Sequence, residues 1–301
     1  MKKYWGRQTG FALIMVIWVL VVMTSLATGF SLAIRYDTRL ARDEVQTLED
    51  TAILDGAFNY TLAALAWQNP TNAWRVDGVT HQIPWPEGAG ITTRIRSEAG
   101  RIDLNLAPKA LLAGLFHQLG TEKPVDALVD AIIDWRDPDD LTQPQGAEKS
   151  AYLAAGYRYG PANRPFQSVR ELEWVMGFDR TLVERAAPHL TVRSRRALID
   201  PLSADPITLA SIPGITIQDA QAFVEERDKS QRPRKLPHHL LDQGKRFLGR
   251  DSFPRAIHIE IRLPRSDSDI LVGEYVAELK SDRLYHMVSR DIRRIHSSDQ
   301  P

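Results

Sequence analysis

Between Gly10 and Arg35 the chain runs for 24 residues, Phe11 to Ile34, without one charged side chain. At about 1.5 Å per residue, a helix of that length crosses a hydrocarbon core of about 30 Å. No other segment of the 301 residues is comparable, so the expected arrangement is a single anchor followed by one large polar portion. The ten residues ahead of the run carry Lys2, Lys3 and Arg7 and no acid. That bias predicts a cytoplasmic N-terminus with the rest of the chain outside. The run exceeds a signal-peptide core of about 7–15 residues, and Ser25-Leu26-Ala27 lies inside it rather than closing it. A plain signal anchor is the simplest alternative.

The junction itself is more specific. Gly10-Phe11-Ala12-Leu13-Ile14 puts glycine, then phenylalanine, directly after a short basic leader. This resembles a type IV pilin-like precursor. The resemblance implies that prepilin peptidase cuts between Gly10 and Phe11, that Phe11 is methylated, and that the apolar helix stays attached. Most proteins of that class carry glutamate at the fifth mature position, where this chain has Met15. An acid in the membrane is costly and usually functional. Its absence suits a filament cap, with no subunit ahead of it, better than a repeating subunit.

Helical spacing of Leu40, Val45, Leu48, Ile53, Leu54, Phe58, Leu62 and Leu65 extends the helix to Gln68, before Asn69-Pro70. Ala73–Gly78 then reads as a strand running into a turn, followed by strands over Thr80–Ile83 and Ile91–Arg96, with Gly88-Ala89-Gly90 between the last two. Gly100–Leu106 reads as a last strand leading into a helical block. Within that block, short helices are expected after Pro108, over Val125–Trp135, Val169–Met176, Thr181–Ala187, Pro206–Ile212 and Ile217–Arg227, with a polar loop over 136–168. Weak internal similarity relates Ala107, Leu112, Ala113 and Leu115 to Ala204, Leu209, Ala210 and Ile212, without the regular period of a solenoid. Strands return over Ala256–Arg262, Ile270–Leu279 and Leu284–Asp291, with Ser281-Asp282-Arg283 as a hairpin turn.

Lys+Arg and Asp+Glu number 38 each, so the chain as a whole is not a basic nucleic-acid binder. Cysteine is absent, which removes disulfides, thiolate metal sites and cysteine nucleophiles. No catalytic signature is present, and His238 and His239 would point apart on a helix. We expect no enzyme activity. Asn59-Tyr60-Thr61 matches a glycosylation sequon but falls on the long helix. Ser211-Ile212-Pro213-Gly214-Ile215 resembles a helix-hairpin-helix, a unit whose turn amides bind phosphate in some proteins. Arg227, Lys229, Arg232, Arg234 and Lys235 lie nearby. The expected location outside the cytoplasm and the lack of an aromatic-interleaved basic groove favour a purely structural unit, so no nucleic acid is expected as a partner.

The richest oxygen cluster is Asp134-Trp135-Arg136-Asp137-Pro138-Asp139-Asp140, with Glu148 after Gly146-Ala147. Counted from Asp137, EF-hand positions 1, 3 and 12 are acidic, but position 5 is Leu141 and position 6 is Thr142 where glycine is required. It is not an EF-hand. From the residues alone, a Ca²⁺ site and a solvated acidic turn both stay open.

Taken with the leader, Met15, Gly100-Arg101-Ile102-Asp103-Leu104-Asn105, Tyr152 and Tyr157–Phe166, the acidic loop resembles the GspK family of minor pseudopilins in bacterial type II secretion. The resemblance implies an α+β pilin-like fold, a long N-terminal helix packed on an antiparallel sheet. A large all-α domain with helix-hairpin-helix or SAM-like units would be inserted into it. The expected divisions are a leader over 1–10, a transmembrane part over 11–34, pilin-like parts over 35–105 and 249–301, and the insert over 106–248. It further implies a single-pass protein of the inner membrane with its bulk in the periplasm. The implied partners are minor pseudopilins I and J, the pseudopilus and the inner-membrane assembly platform. The role is to cap and initiate the pseudopilus that exports folded proteins. It also implies structural Ca²⁺, with Asp137, Asp139, Asp140 and Glu148 as ligands and Asp134 behind them. The alternatives are a minor pilin of a surface type IV pilus and, more distantly, a membrane-anchored helix-hairpin-helix DNA-binding protein; the pilin is the nearer of the two. That class usually lacks the insert and commonly has two cysteines.

Overall fold

The computed structural model describes residues 9–67, 74–85, 90–229, 244–250, 254–266, 269–280 and 284–296. Lys2, Lys3, Arg7, Ala73, Gly88, Ala89, Arg232, Arg234, Lys235, His238, His239 and the 281–283 turn lie outside them. The chain divides into two units, Met1–Gly56 and Ala57–Pro301.

Helix α1, Thr9–Ala66, supplies the first unit and reaches ten residues into the second. Its apolar stretch leaves Trp18, Leu26 and Phe30 exposed all round, at 65–70%. An all-round apolar helix of this kind calls for lipid or for other helices. The two threonines within it are satisfied locally. Thr24 donates to Leu20 O at 2.9 Å and Thr28 to Thr24 O at 2.8 Å, so neither hydroxyl needs water.

The second unit is built on a five-stranded antiparallel sheet in the order β1-β2-β5-β6-β7. Its strands are β1 Asp77–Gln82, β2 Thr92–Ser97, β5 Ala256–Pro264, β6 Asp269–Leu279 and β7 Tyr285–His296. Alternation decides which face is buried: Ile257, Ile259, Ile261 and Leu263 all point inward along β5. The last turns of α1 cover the sheet, with the Phe58 ring stacked on Tyr275 of β6 at 4.6 Å. The strand expected over 73–78 begins only at Asp77. Gly78 sits inside it at φ 83°, where the register with β2 shifts, so the glycine marks an irregular pairing rather than a turn.

Between β2 and β5 lies a helical block. It contains α2 Lys109–Gln118, α3 Val125–Arg136, α4 Lys149–Ala154, a 3₁₀ turn at Val169–Trp174, α5 Arg180–Ala186, α6 Pro206–Ala210 and α7 Ile217–Lys229. One apolar core runs through it, from Ile102 to Phe223, around Leu112, Phe116, Ile132, Tyr152, Phe166 and Leu209. Two expectations fail here. The strand expected over 100–106 is only β3, Ile102–Asp103, and it pairs in parallel with β4, Leu190–Thr191, rather than with the main sheet. The polar loop over 136–168 contains α4, held by the fully buried Tyr152.

Helices α2 and α6 approach so closely that a Cβ on Gly114 would lie 1.9 Å from Ser211 O. Helix α6 opens on Asp205, whose Oδ1 accepts from Thr208 N at 2.9 Å, with Pro206 at the first helical position. The turn into α7 has Gly214 at φ 91°, a left-handed conformation that glycine adopts without a steric cost. The block is pinned to the sheet where β2 ends: Asp200 N donates to Ala99 O at 2.7 Å and Ser97 N to Ser203 Oγ at 3.1 Å.

Candidate functional site

The acidic loop leaves the C-terminal end of α3. Asp130 and Asp134 share one face of that helix at i, i+4 spacing, and both are buried. Their carboxylates fold the following loop back onto the helix. Gln143 N donates to Asp134 Oδ1 at 3.0 Å, and Gln145 N to Asp130 Oδ2 at 3.1 Å. Lys109 of α2 neutralises Asp130 through an ion pair. Gly146 is required at the point of return, because a Cβ there would fall 2.0 Å from Asp134 Oδ2.

The loop's base is fixed by residues far away in sequence. Asn105 mimics a strand partner for Phe166, accepting from its N–H at 2.7 Å and donating to its carbonyl at 3.0 Å. Arg136 donates to Leu104 O and to Ala107 O, the latter at 3.0 Å. Asp103 in turn accepts from Asn105 N at 2.9 Å and Ser194 Oγ at 2.8 Å. The Gly100–Asn105 segment therefore braces the loop. On the outer side Asn163, at φ 46°, donates to Asp140 Oδ1 at 3.0 Å and to Asp139 O at 3.3 Å. Tyr152 lies behind, its hydroxyl accepting from Met176 N at 2.8 Å, and burial pushes its pKa up to about 12.

Of the four expected ligands, Asp139 accepts from Leu141 N at 2.8 Å in a local turn and Asp140 is held by Asn163. Glu148 differs. It is 5% exposed, sits ahead of α4, and neither carboxylate oxygen has a hydrogen-bond partner among the described residues. Asp137 Oδ1 is buried and unpartnered in the same way. Burial raises the pKa of Glu148, and Asp134, Asp137 and Asp140 push it further. Asp137 is raised by burial and then by Asp139 and Asp134. Asp134 is raised by burial against the opposing hydrogen bonds of Gln143 and Ala147. These acids thus share one electrostatic neighbourhood. Their oxygens do not converge, however: among the described residues no three or more Asp, Glu or His side chains form a ready metal site.

The sequence does not single out Asp130, and it shows Asn105, Arg136 and Asn163 only as members of motifs, without their bracing roles. For Asp130 the signal was its i, i+4 relation to Asp134. For the other three the partners are too distant in sequence for local spacing to show. At the N-terminus, Gly10 and Phe11 are the second and third residues of α1.

Residues 97–195, which contain the whole acidic loop, match the family described as type II secretion system (T2SS), protein K. The type II secretion system protein K of Klebsiella pneumoniae is 27% identical over 247 residues, covering 73% of this chain and 76% of that protein. That of Pseudomonas aeruginosa is 24% identical over 270 residues, covering 79% and 78%. Among solved structures, the crystal structure of the GspK-GspI-GspJ complex from the enterotoxigenic Escherichia coli type 2 secretion system contains a chain of similar fold. The TM-score is 0.56 at 17% identity, over 84% of this chain and 99% of that one. The long N-terminal helix, the antiparallel sheet, the helical insert and these matches agree: the chain is similar to type II secretion system protein K, by the family model over residues 97–195 and by the two relatives over 73–79% of its length.

Proposed function

We infer that this protein is a minor pseudopilin that takes part in assembling the pseudopilus of a type II secretion system. It is a structural component rather than an enzyme. The observation that carries this reading is the family match over 97–195, the segment in which the helical block departs from the pilin-like sheet. The helix-hairpin-helix likeness of α6 and α7 serves packing in this reading. Arg227 of α7 is buried and donates to Pro201 O at 3.0 Å and Ala204 O at 2.6 Å, so it is not free for phosphate.

In this reading the protein caps and initiates the filament. The helical block is too bulky to repeat along a narrow filament, and Met15 leaves no acid to pair with a subunit ahead. Its partners are minor pseudopilins I and J, as in the complex of the similar E. coli chain. Prepilin peptidase cuts after Gly10, Phe11 becomes the methylated N-terminus, and the apolar part of α1 anchors the chain in the inner membrane with its bulk in the periplasm. Glu148 and Asp137 would hold Ca²⁺, with Asp139 and Asp140 completing the set after a modest loop adjustment. The support is the pair of unpartnered Glu148 oxygens and the unpartnered Asp137 oxygen, which suit a hard cation that prefers carboxylates. The ion would neutralise the repulsion among the acids and stiffen the loop.

Co-expression of the full chain with candidate I- and J-type pseudopilins, followed by purification in neutral detergent, tests the assembly. A 1:1:1 complex is expected. Homopolymeric filaments of this chain alone would defeat the capping role.

A further inference from the structure

Independently of the secretion reading, we propose that the cleft where the helical block meets the sheet is a docking site for an acidic, partly apolar peptide segment of a partner protein. The cleft has a volume of about 290 Å³ and is lined by Arg193, Arg195, Arg255, Glu278, Leu279 and Lys280. Among the described lining residues, four cations thus face one carboxylate. Glu278 is already engaged, accepting from Arg193 at 2.6 Å. Among the described residues, the side chains of Arg195, Arg255 and Lys280 have no ion pair, and all three are exposed. Several cations converging on a concave surface, in excess over the acids among the described lining residues, focus a field that attracts anions.

Arg195 sharpens the inference. Its φ is 52°, a left-handed conformation that costs a residue with a Cβ. Asp103 holds it there, with Oδ2 accepting from Arg195 N at 2.9 Å and from Ser194 Oγ at 2.8 Å. Strain maintained by a buried carboxylate directs this exposed guanidinium to the cleft. Such a group binds carboxylates in a two-pronged geometry.

A second compartment says what kind of anion fits. Arg193, Arg195 and Glu278 also line an adjoining cavity of about 400 Å³, where Leu106, Pro165, Phe166 and Val192 stand among the polar Asp103, Asn105 and Gln167. Leu106 is exposed there. An anionic group in the first compartment therefore has beside it a mixed wall, with aliphatic side chains next to amides that can hydrogen-bond a peptide. A polypeptide carrying a carboxylate next to an aliphatic side chain fills both, whereas a lone phosphate fills only one.

The test uses the full chain in neutral-detergent micelles and a fluorescein-labelled heptapeptide alternating glutamate and leucine, read by fluorescence anisotropy. The control peptide carries glutamine for glutamate and reports adsorption to micelles. The acidic peptide should bind at least about tenfold more tightly than the control, and less tightly as salt rises from about 50 to about 500 mM. Arg195→Gly, which keeps the left-handed backbone, and Lys280→Gln, on the surface, should each weaken binding several-fold. Neither should lower the melting temperature, since Arg195→Gly relieves the left-handed strain and Lys280 lies on the surface. Equal binding of the two peptides, or undiminished binding by both variants, would overturn the proposal. So would binding of inorganic phosphate alone as tightly as the acidic peptide, which would mark a small-anion site.

Discussion

Glu148 offers a test in which one substitution should change sign with conditions. Among the described residues both of its oxygens are buried without a hydrogen-bond partner, and burial with three neighbouring acids destabilises its ionised form. Leaving a buried polar group unsatisfied costs about 1–3 kcal/mol, more when it is charged. Glu148→Gln removes the charge but keeps the shape and leaves amide atoms to satisfy, so in chelator it should stabilise the protein by about 1 kcal/mol. For a domain of this size that raises Tm by about 2–4 °C. Calcium reverses the order. At 100-fold above its Kd, a ligand bound only to the folded state adds about 2.7 kcal/mol, or about 5–10 °C. The variant, lacking a ligand charge, should gain far less. Melts of the full chain in neutral detergent, with EDTA and with calcium, should therefore cross: the variant above wild type in chelator and below it in calcium. The same ranking in both buffers, or wild-type curves that superimpose with and without calcium, would refute the argument that these oxygens await a cation.

The raised pKa values of Asp134, Asp137 and Glu148 mean that the folded state holds these protons more tightly than the unfolded chain. In chelator, stability from this cluster should rise as pH falls from about 7 through the raised values toward the usual carboxylate range near 4, while the calcium-induced Tm shift shrinks. Gly114→Ala sets a Cβ 1.9 Å from the Ser211 carbonyl, backbone that cannot swing aside, and should cost about 3 kcal/mol or more in urea denaturation. Gly120→Ala meets nothing within 4 Å and suffers only its left-handed φ of 60°, about 1 kcal/mol; a larger loss there than at Gly114 would contradict the packing. At the leader, mass spectrometry of cells with prepilin peptidase should find methylated Phe11. Gly10→Val should leave uncut precursor, and cleavage near Ala27 would exclude pilin-type processing.

Local signals carried much of the fold. An uncharged run of 24 residues can hardly be anything but the apolar part of α1, and the spacing of Leu128, Val129 and Ile132 made α3 plain. Helix α4 is six residues long, too short for its period to register, and it is held by the burial of Tyr152 rather than by its own propensity. The strand start at Asp77 was hidden because Gly78, which usually signals a turn, here permits an irregular strand pairing. In the acidic loop the carboxylates were visible as composition. That Asp130 and Asp134 spend theirs on backbone amides, while Glu148 spends neither oxygen, is a property of the folded chain alone.

Ser97, the last residue of β2, lies directly opposite Ile257 near the start of β5. Topologically, the helical block is a hairpin loop of about 160 residues. Closing so long a loop costs about 3 kcal/mol more than closing a five-residue hairpin, from the logarithmic growth of loop entropy. The unfolded block would hold the two halves of the sheet apart as a tether, whereas the folded block brings Ser97 and Ile257 together as a clasp. The central β2–β5 pairing is thereby coupled in energy to the folding of the block. Anything that loosens the acidic loop reaches strands that the loop never touches.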